Sequence, residues 1–370
     1  MQIAQANTHI QTETLQTRSD PIVRPLPSPL ALKQARPLSH EMAQRIDDHR
    51  QQVRAILQGT DDRLMVITGP CSLHDEVAAL DYAKKLKQIS EQVSDKILIV
   101  MRAYVEKPRT TTGWKGLAYD PLRDGKGDIE QGLNRSRELM LNLIELDLPL
   151  ATEALNPMTM HYLEDLITWT AIGARTAESQ IHREMISHLN MPVGIKNGTD
   201  GSVDTAVNAM ISASRAHHCL GMDCHGNLAM FDTPGNPDTH VVLRGGRNLT
   251  NYDAQSIALT LEKLEQAKKE NKVYAKVIVD CSHDNAEKKH ENQLPIAQEV
   301  VQQIVNGNKS ISGIMLESFL EPGKQSMAGC EHDGCLKYGM SITDACIGWE
   351  QTVQLLQQLH VSLTEPLSLK

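Results

Sequence analysis

The chain has 370 residues, 40% apolar and 22% charged, an ordinary globular balance at a length that α/β barrels reach as one unit. Only 3% of the residues are aromatic and the formal charge is −9, which leaves neither the basic face nor the stacking rings that nucleic-acid binding requires. Taken at face value the same charge argues against anionic small substrates, but net charge describes solubility and steering, not one cleft.

The opening MQIAQANTHIQ has no basic stretch followed by an apolar one, so no secretory signal is expected. No apolar run approaches the roughly 20 residues of a membrane helix. Together with an odd count of seven cysteines, this predicts a cytoplasmic chain with free thiols or metal ligands and no membrane partner. Residues 1–38 are polar and punctuated by Pro21, Pro25, Pro27, Pro29 and Pro37, which predicts an extended arm. Ser39-His40-Glu41 opens a predicted helix through Leu57, with Met42, Ile46, Val53 and Ile56 on a helical period.

From residue 64 short continuous apolar runs alternate with longer helical segments. The runs are Leu64–Ile67, Ile97–Met101, Leu148–Ala151, Ala171–Ala174, Pro192–Ile195, Val241–Leu243, Val277–Val279 and Ile311–Leu316. Such runs suit strands buried on both faces of a parallel sheet. Segments such as Glu76–Ser90, Gln131–Leu146, Pro157–Thr168, Glu178–Leu189, Ala254–Glu270 and Glu291–Val305 are long enough for crossover helices. About eight such units predict an α/β fold, a (β/α)8 TIM barrel. A doubly wound sheet is the alternative, but its first turn would be a glycine fingerprint, and here it reads Thr68-Gly69-Pro70-Cys71-Ser72. The expected division is an N-terminal arm and helix over 1–60, in contact with a subunit partner, and a catalytic barrel over 61–370. Residues 217–240 are expected to form an inserted hairpin between the fifth helix and the sixth strand.

In a barrel the C-terminal strand ends face the site. Just past the apolar runs stand Cys71, Arg102, Glu153, Arg175, Lys196, Arg244, His283 and Glu317. Singly each is an ordinary loop residue; eight together are hard to ascribe to solvation. Cys71, His283 and Glu317 are thiolate, imidazole and carboxylate, the donor types of a divalent transition-metal site, and the mixed set suits Mn2+, Fe2+ or Zn2+ alike. Asp344 is either a fourth ligand or the N-cap of a predicted Ala345–Leu359 helix. Arg102, Lys107, Arg109, Arg175, Lys196 and Arg244 form a cationic group suited to phosphates and carboxylates. The pairs Cys219/Cys224 and Cys330/Cys335 could hold a structural zinc, although unpaired thiols are the simpler reading.

These residues sit in motifs that carry a specific resemblance. They are Gly69-Pro70-Cys71-Ser72-Leu73-His74-Asp75, Met101-Arg102-Ala103-Tyr104, Glu106-Lys107-Pro108-Arg109-Thr110, and Gly113-Trp114-Lys115-Gly116. The series continues with Gly173-Ala174-Arg175-Thr176, Lys196-Asn197-Gly198-Thr199-Asp200-Gly201 and Leu243-Arg244-Gly245-Gly246. It closes with Asp280-Cys281-Ser282-His283, Glu317-Ser318 and residues 341–349. In this order, from about residue 60 to the C-terminus, the series resembles the type I 3-deoxy-D-arabino-heptulosonate-7-phosphate (DAHP) synthases.

The resemblance implies an enzyme of the shikimate pathway that joins phosphoenolpyruvate to erythrose 4-phosphate and releases phosphate. It implies one divalent metal ion on Cys71, His283, Glu317 and Asp344. Arg102, Lys107, Arg175, Lys196 and Arg244 would surround phosphoenolpyruvate. Lys107, Pro108, Arg109 and Thr110 would line the erythrose phosphate site, with Asp344 beside the substrates. Lys107 is the expected acid, Glu153 would lie beside the attacking water, and Cys71 and His283 would serve catalysis through the metal. The sister synthase for a five-carbon sugar phosphate fits the Lys107–Thr110 loop less well, and a metal-dependent aldolase needs fewer cations. The resemblance further implies a homodimer or homotetramer and an aromatic amino acid effector near residues 157–161, 188–190 and 219–231. There His188, Asn190 and Cys219 stand in place of the small polar and aromatic residues expected.

Overall fold

The computed structural model describes residues 23–109, 111–328 and 335–364. Each apolar run becomes a strand: β1 (Leu64–Gly69), β2 (Ile97–Arg102), β3 (Leu150–Glu153), β4 (Trp169–Ile172) and β5 (Val193–Lys196). A hairpin of β6 (His217–Met222) and β7 (Leu228–Thr233) follows, then β8 (Thr239–Leu243), β9 (Val277–Asp280) and β10 (Ile311–Glu317). All strands except the hairpin pair are parallel and close into a barrel in the order β1-β2-β3-β4-β5-β8-β9-β10. This is the expected (β/α)8 TIM barrel.

Two helices precede the barrel, α1 (Pro29–Ala35) and α2 (His40–Gln58). One helix then follows each barrel strand: α3 (Glu76–Gln92), α4 (Ile129–Glu145), α5 (Pro157–Leu163), α6 (Gln180–His188), α7 (Asp204–Ala213), α8 (Ala254–Lys268), α9 (Gln293–Val305) and α10 (Trp349–Thr364). Their starts are set locally: the Asp75, Asp128, Asn156 and Asp253 side chains each accept a hydrogen bond from a backbone N–H of the first turn.

Side chains alternate across a strand, so each barrel strand feeds two cores. Met65, Ile67, Leu98, Val100, Ala151, Trp169, Ala171, Val242, Ile278 and Met315 fill the interior. Val66, Ile99, Leu150, Ile195, Val241, Val279 and Leu316 point out to the helices. Val53, Ile56 and Leu57 of α2 join the interior cluster and close the barrel at its N-terminal end. Arg50 of α2 donates to the Ile167 and Glu164 carbonyls, and Arg54 pairs with Asp238 at 2.5 Å.

Three readings are corrected. The arm is not extended throughout. Ser28 accepts from Ala31 N and Pro29 opens α1, a Ser-Pro pair that starts a helix because proline lacks only an N–H that would be unpaired there. The predicted Ala345–Leu359 helix instead begins at Trp349, since bridges Ser318–Ile347, Gly323–Cys346 and Lys324–Ser341 hold the preceding backbone against the exit of β10. Asp344 is therefore no helix N-cap. Cys335 is disulfide-bonded, so the unpaired-thiol reading fails there. Cys71, Cys219, Cys224, Cys281 and Cys346 are free, and Cys330 lies outside the described residues.

The segment joining β2 to α4 folds back over the barrel mouth. Lys107 N donates to Lys115 O at 2.9 Å and Ala118 N to Val105 O at 3.1 Å. Gly116 has φ +110, and a Cβ there would strike Val105 O and Glu106 Cα. Glu106 is buried under this segment, and burial pushes its carboxyl up to about 8, opposed by Thr159, Tyr119 and the Asn156 amide.

A Cβ at Gly194 would run into the Trp169 ring and Val242, so Gly194→Ala should destabilise the fold by about 1–3 kcal/mol in urea titration. Between an ordinary carboxyl pKa and about 8, folded Glu106 keeps a proton that the unfolded chain has released. Its contribution to stability therefore falls as pH rises through that window. Glu106→Gln should gain stability relative to the native chain on going from pH 5 to pH 8. Parallel pH profiles of the two proteins would refute this.

Candidate active site

Strand alternation decides which side chains reach the mouth. Two residues beyond interior Val100, Ala151, Gly194, Val242, Ile278 and Met315 stand Arg102, Glu153, Lys196, Arg244, Asp280 and Glu317. All six therefore point toward the barrel axis at its C-terminal end. A cavity of about 710 Å³ opens there, lined by Arg102, Lys107, Pro108, Arg109, Glu153, Arg175, Lys196, Arg244, His283, Glu317 and Asp344. Cys71 lies just beneath, wholly buried. Of the expected site residues only Thr110 falls outside the described residues.

Cys71, Glu317 and Asp344 converge, with their donor atoms all within 4.8 Å of one another. Asp344 N donates to Cys71 Sγ at 3.3 Å, which draws the last loop onto the first. Glu317 is held from both ends: its backbone N–H donates to Gln293 Oε1 at 2.7 Å, and its Oε2 accepts from Ser282 Oγ at 2.9 Å. His283 lines the same cavity but is not part of this cluster. Its backbone is left-handed at φ 54, and its Nδ1 stands 2.8 Å from Asp280 Oδ2. One soft sulfur and two hard carboxylate donors, with an imidazole nearby, fit a divalent transition metal.

Cations surround these donors. Lys107 Nζ sits 2.8 Å from Cys71 Sγ and 3.3 Å from Asp344 Oδ2. Burial alone would discharge Lys107, but Cys71, Asp344 and Glu317 outweigh it and hold the ammonium above its usual range. The Lys107 charge in turn holds the Asp344 carboxyl well below the usual carboxylate range. Burial, reinforced by Glu317, pushes the Cys71 thiol up to about 12. Arg102 pairs with Glu317 at 3.2 Å, and its guanidinium carbon lies 3.9 Å from the centre of the Tyr104 ring. Lys196 pairs with Asp280 at 2.8 Å; burial would raise this carboxyl, but His283 and Lys196 hold it well below its ordinary value.

Among the described lining residues ten Arg and Lys face four carboxylates, so the mouth is locally the inverse of a chain with net charge −9. Arg247, Lys288, Lys289 and Lys324 were not anticipated. They lie in loops, where no period marks orientation. Asp280 reaches the mouth by strand parity alone, two residues past interior Ile278. Gly173 makes room for a neighbour: a Cβ there would come within 2.5 Å of Glu153 Oε1.

The three segments expected near an effector also meet. The rings of His161, His188 and Phe231 pack together, with centroids 6.4, 6.2 and 5.2 Å apart.

Residues 38–357 match the model of the DAHP synthetase I family. The chain is 48% identical over 343 residues to the Tyr-sensitive phospho-2-dehydro-3-deoxyheptonate aldolase of Escherichia coli, covering 93% of this chain and 94% of that one. It is 45% identical to the phenylalanine-inhibited phospho-2-dehydro-3-deoxyheptonate aldolase of Saccharomyces cerevisiae, covering 90% of each. A solved phospho-2-dehydro-3-deoxyheptonate aldolase from Francisella tularensis superposes with a TM-score of 0.88 at 40% identity, over 94% of this chain and 99% of that one. A barrel whose mouth gathers these motifs, matched along nine-tenths of its length, belongs to the DAHP synthetase I family.

Proposed function

We propose that the chain condenses phosphoenolpyruvate with D-erythrose 4-phosphate and water, giving 3-deoxy-D-arabino-heptulosonate 7-phosphate and inorganic phosphate. The observation that carries this reading is the excess of cations around Cys71, Glu317 and Asp344 in one mouth. Two phosphorylated substrates, one with a carboxylate as well, call for that many positive charges.

Arg102, Arg175, Lys196 and Arg244 would grip the phosphate and carboxylate of phosphoenolpyruvate, guanidiniums taking two oxygens each. Lys107, Pro108, Arg109 and Thr110 would hold erythrose 4-phosphate. Arg109 is braced for this, since its Nε donates to Trp114 O at 2.7 Å. Cys71, His283, Glu317 and Asp344 would hold one divalent ion, Mn2+ or Fe2+ by donor chemistry, which when bound supplies Lewis-acid polarisation of the aldehyde. Carbon 3 of phosphoenolpyruvate forms the new bond to the aldehyde carbon, and Lys107 delivers a proton to the alkoxide oxygen. Water adds at carbon 2 and gives up its proton toward Glu153. The hemiketal phosphate then expels inorganic phosphate between the arginines.

No described helix is long and apolar enough to cross a membrane, and we place the enzyme in the cytoplasm. The arm and α2, within residues 1–60, are the proposed subunit contact of a homodimer or homotetramer, with the barrel over 61–370 as the catalytic unit. Regulation is proposed to differ from that of the Tyr-sensitive and phenylalanine-inhibited relatives. His161, His188 and Phe231 put protein rings where an effector's ring would pack. Titrating Phe, Tyr and Trp separately into the assay should give weaker inhibition than in those relatives.

The activity is tested by phosphate release. It should require both sugar phosphate and phosphoenolpyruvate, stop with a chelator, and return with Mn2+ or Fe2+. Release without the sugar phosphate, or undiminished by chelation, would sink the reading. Lys107→Met should lower kcat by about 10²–10⁴ with altered pH dependence; near-full turnover with an unchanged profile would remove Lys107 as the acid.

A further inference from the structure

Arg244 carries an acidic partner, Asp284. Its Nη1 lies 2.5 Å from Asp284 Oδ2, and both side chains are largely withdrawn from solvent, at 12% and 19% exposure. Asp284 lines the same cavity. We propose that Asp284 is a tethered counter-ion on Arg244, a positioning and specificity residue that an incoming phosphoryl group must displace. This rests on the reading of Arg244 as a phosphoenolpyruvate residue.

The sign of its effect comes from how Arg244 is held. Its backbone N–H donates to Asn197 Oδ1 at 2.8 Å, and its carbonyl accepts from Asn285 N at 3.2 Å. Asn285 Nδ2 donates in turn to the carbonyls of Leu243 and Asp280, at 3.1 and 2.9 Å. The next residue, Gly245, donates to Asn251 Oδ1 at 2.7 Å. The Arg244 backbone therefore keeps its place without the Asp284 charge, and the guanidinium starts from a fixed root. What the carboxylate adds is competition.

A single carboxylate entering the site gains little by replacing another carboxylate on the guanidinium. A phosphoryl dianion with three oxygens gains more, because Coulomb attraction scales with charge and the fork geometry is matched. Asp284 thus biases Arg244 toward the phosphoryl end of the substrate. It also takes the guanidinium back when inorganic phosphate leaves.

The test uses Asp284→Asn, which keeps the shape, with Asp284→Ala as a second variant, both checked for an unchanged thermal transition. Inorganic phosphate, and pyruvate as a carboxylate without a phosphoryl group, serve as inhibitors. In Asp284→Asn the phosphate inhibition constant and the KM for phosphoenolpyruvate should each fall about fivefold, pyruvate should gain at least as much, and kcat should not rise. A carboxylate that merely braces the loop would give the opposite, with KM raised and phosphate binding weakened, and that outcome overturns the proposal. Arg244→Gln separates the two readings. If it leaves KM and phosphate inhibition unmoved, the assignment of Arg244 to phosphoenolpyruvate has failed. If it raises both while Asp284→Asn moves neither, only the counter-ion role is refuted.

Discussion

The structure depends on one constraint: in a closed parallel barrel every strand side chain faces either the axis or the helices, in strict alternation. The interior is filled from Met65, Val100, Trp169, Val242, Ile278 and Met315, and the same parity carried one step further delivers Arg102, Arg244, Asp280 and Glu317 to the mouth. Apolar packing and polar chemistry are therefore one pattern read at two heights. A strand that slipped by one residue would lose both at once, moving its core residue outward and its charged residue into the helix layer.

Burying so many charges is tolerable because almost every one meets an opposite. Arg102 meets Glu317, Lys196 meets Asp280, and Lys107 meets Asp344. A buried ion left alone would cost several kcal/mol. Pairing keeps the groups charged and at fixed positions, as preorganised electrostatic catalysis requires. The same pairing explains why net charge was a poor guide: the −9 belongs mostly to solvated surface, while the mouth concentrates cations that few distant charges can influence across a Debye length of about 8–10 Å.

The strands were legible in the sequence because runs such as Ile97–Met101 and Ile311–Leu316 are continuously apolar, and both became strands within a residue or so of their limits. Strand-end chemistry was legible for the same reason, since an apolar run that stops at Arg102 or Glu317 marks where a strand emerges. Less could be read where long-range contacts override local signals. Asp344 resembles an N-cap until the bridges of Gly323 and Lys324 to the last loop are seen. Residue type groups His283 with Cys71 and Glu317 but carries no sign of its left-handed backbone or of Asp280, 2.8 Å from its Nδ1. Lys288 and Lys289 reach the mouth from a loop that no periodicity describes.

The helix that plugs the barrel floor has a consequence for the order of assembly. α2 leaves the ribosome before any barrel strand, yet its anchors come much later: Arg50 waits for Ile167, 117 residues on, and Arg54 for Asp238, 184 residues on. Loop closure over such separations is slow and entropically costly. This early helix thus completes its docking late, and Val53, Ile56 and Leu57 lack part of their cover until Trp169, Val242, Ile278 and Met315 have been made. Birth order and closing order run in opposite directions.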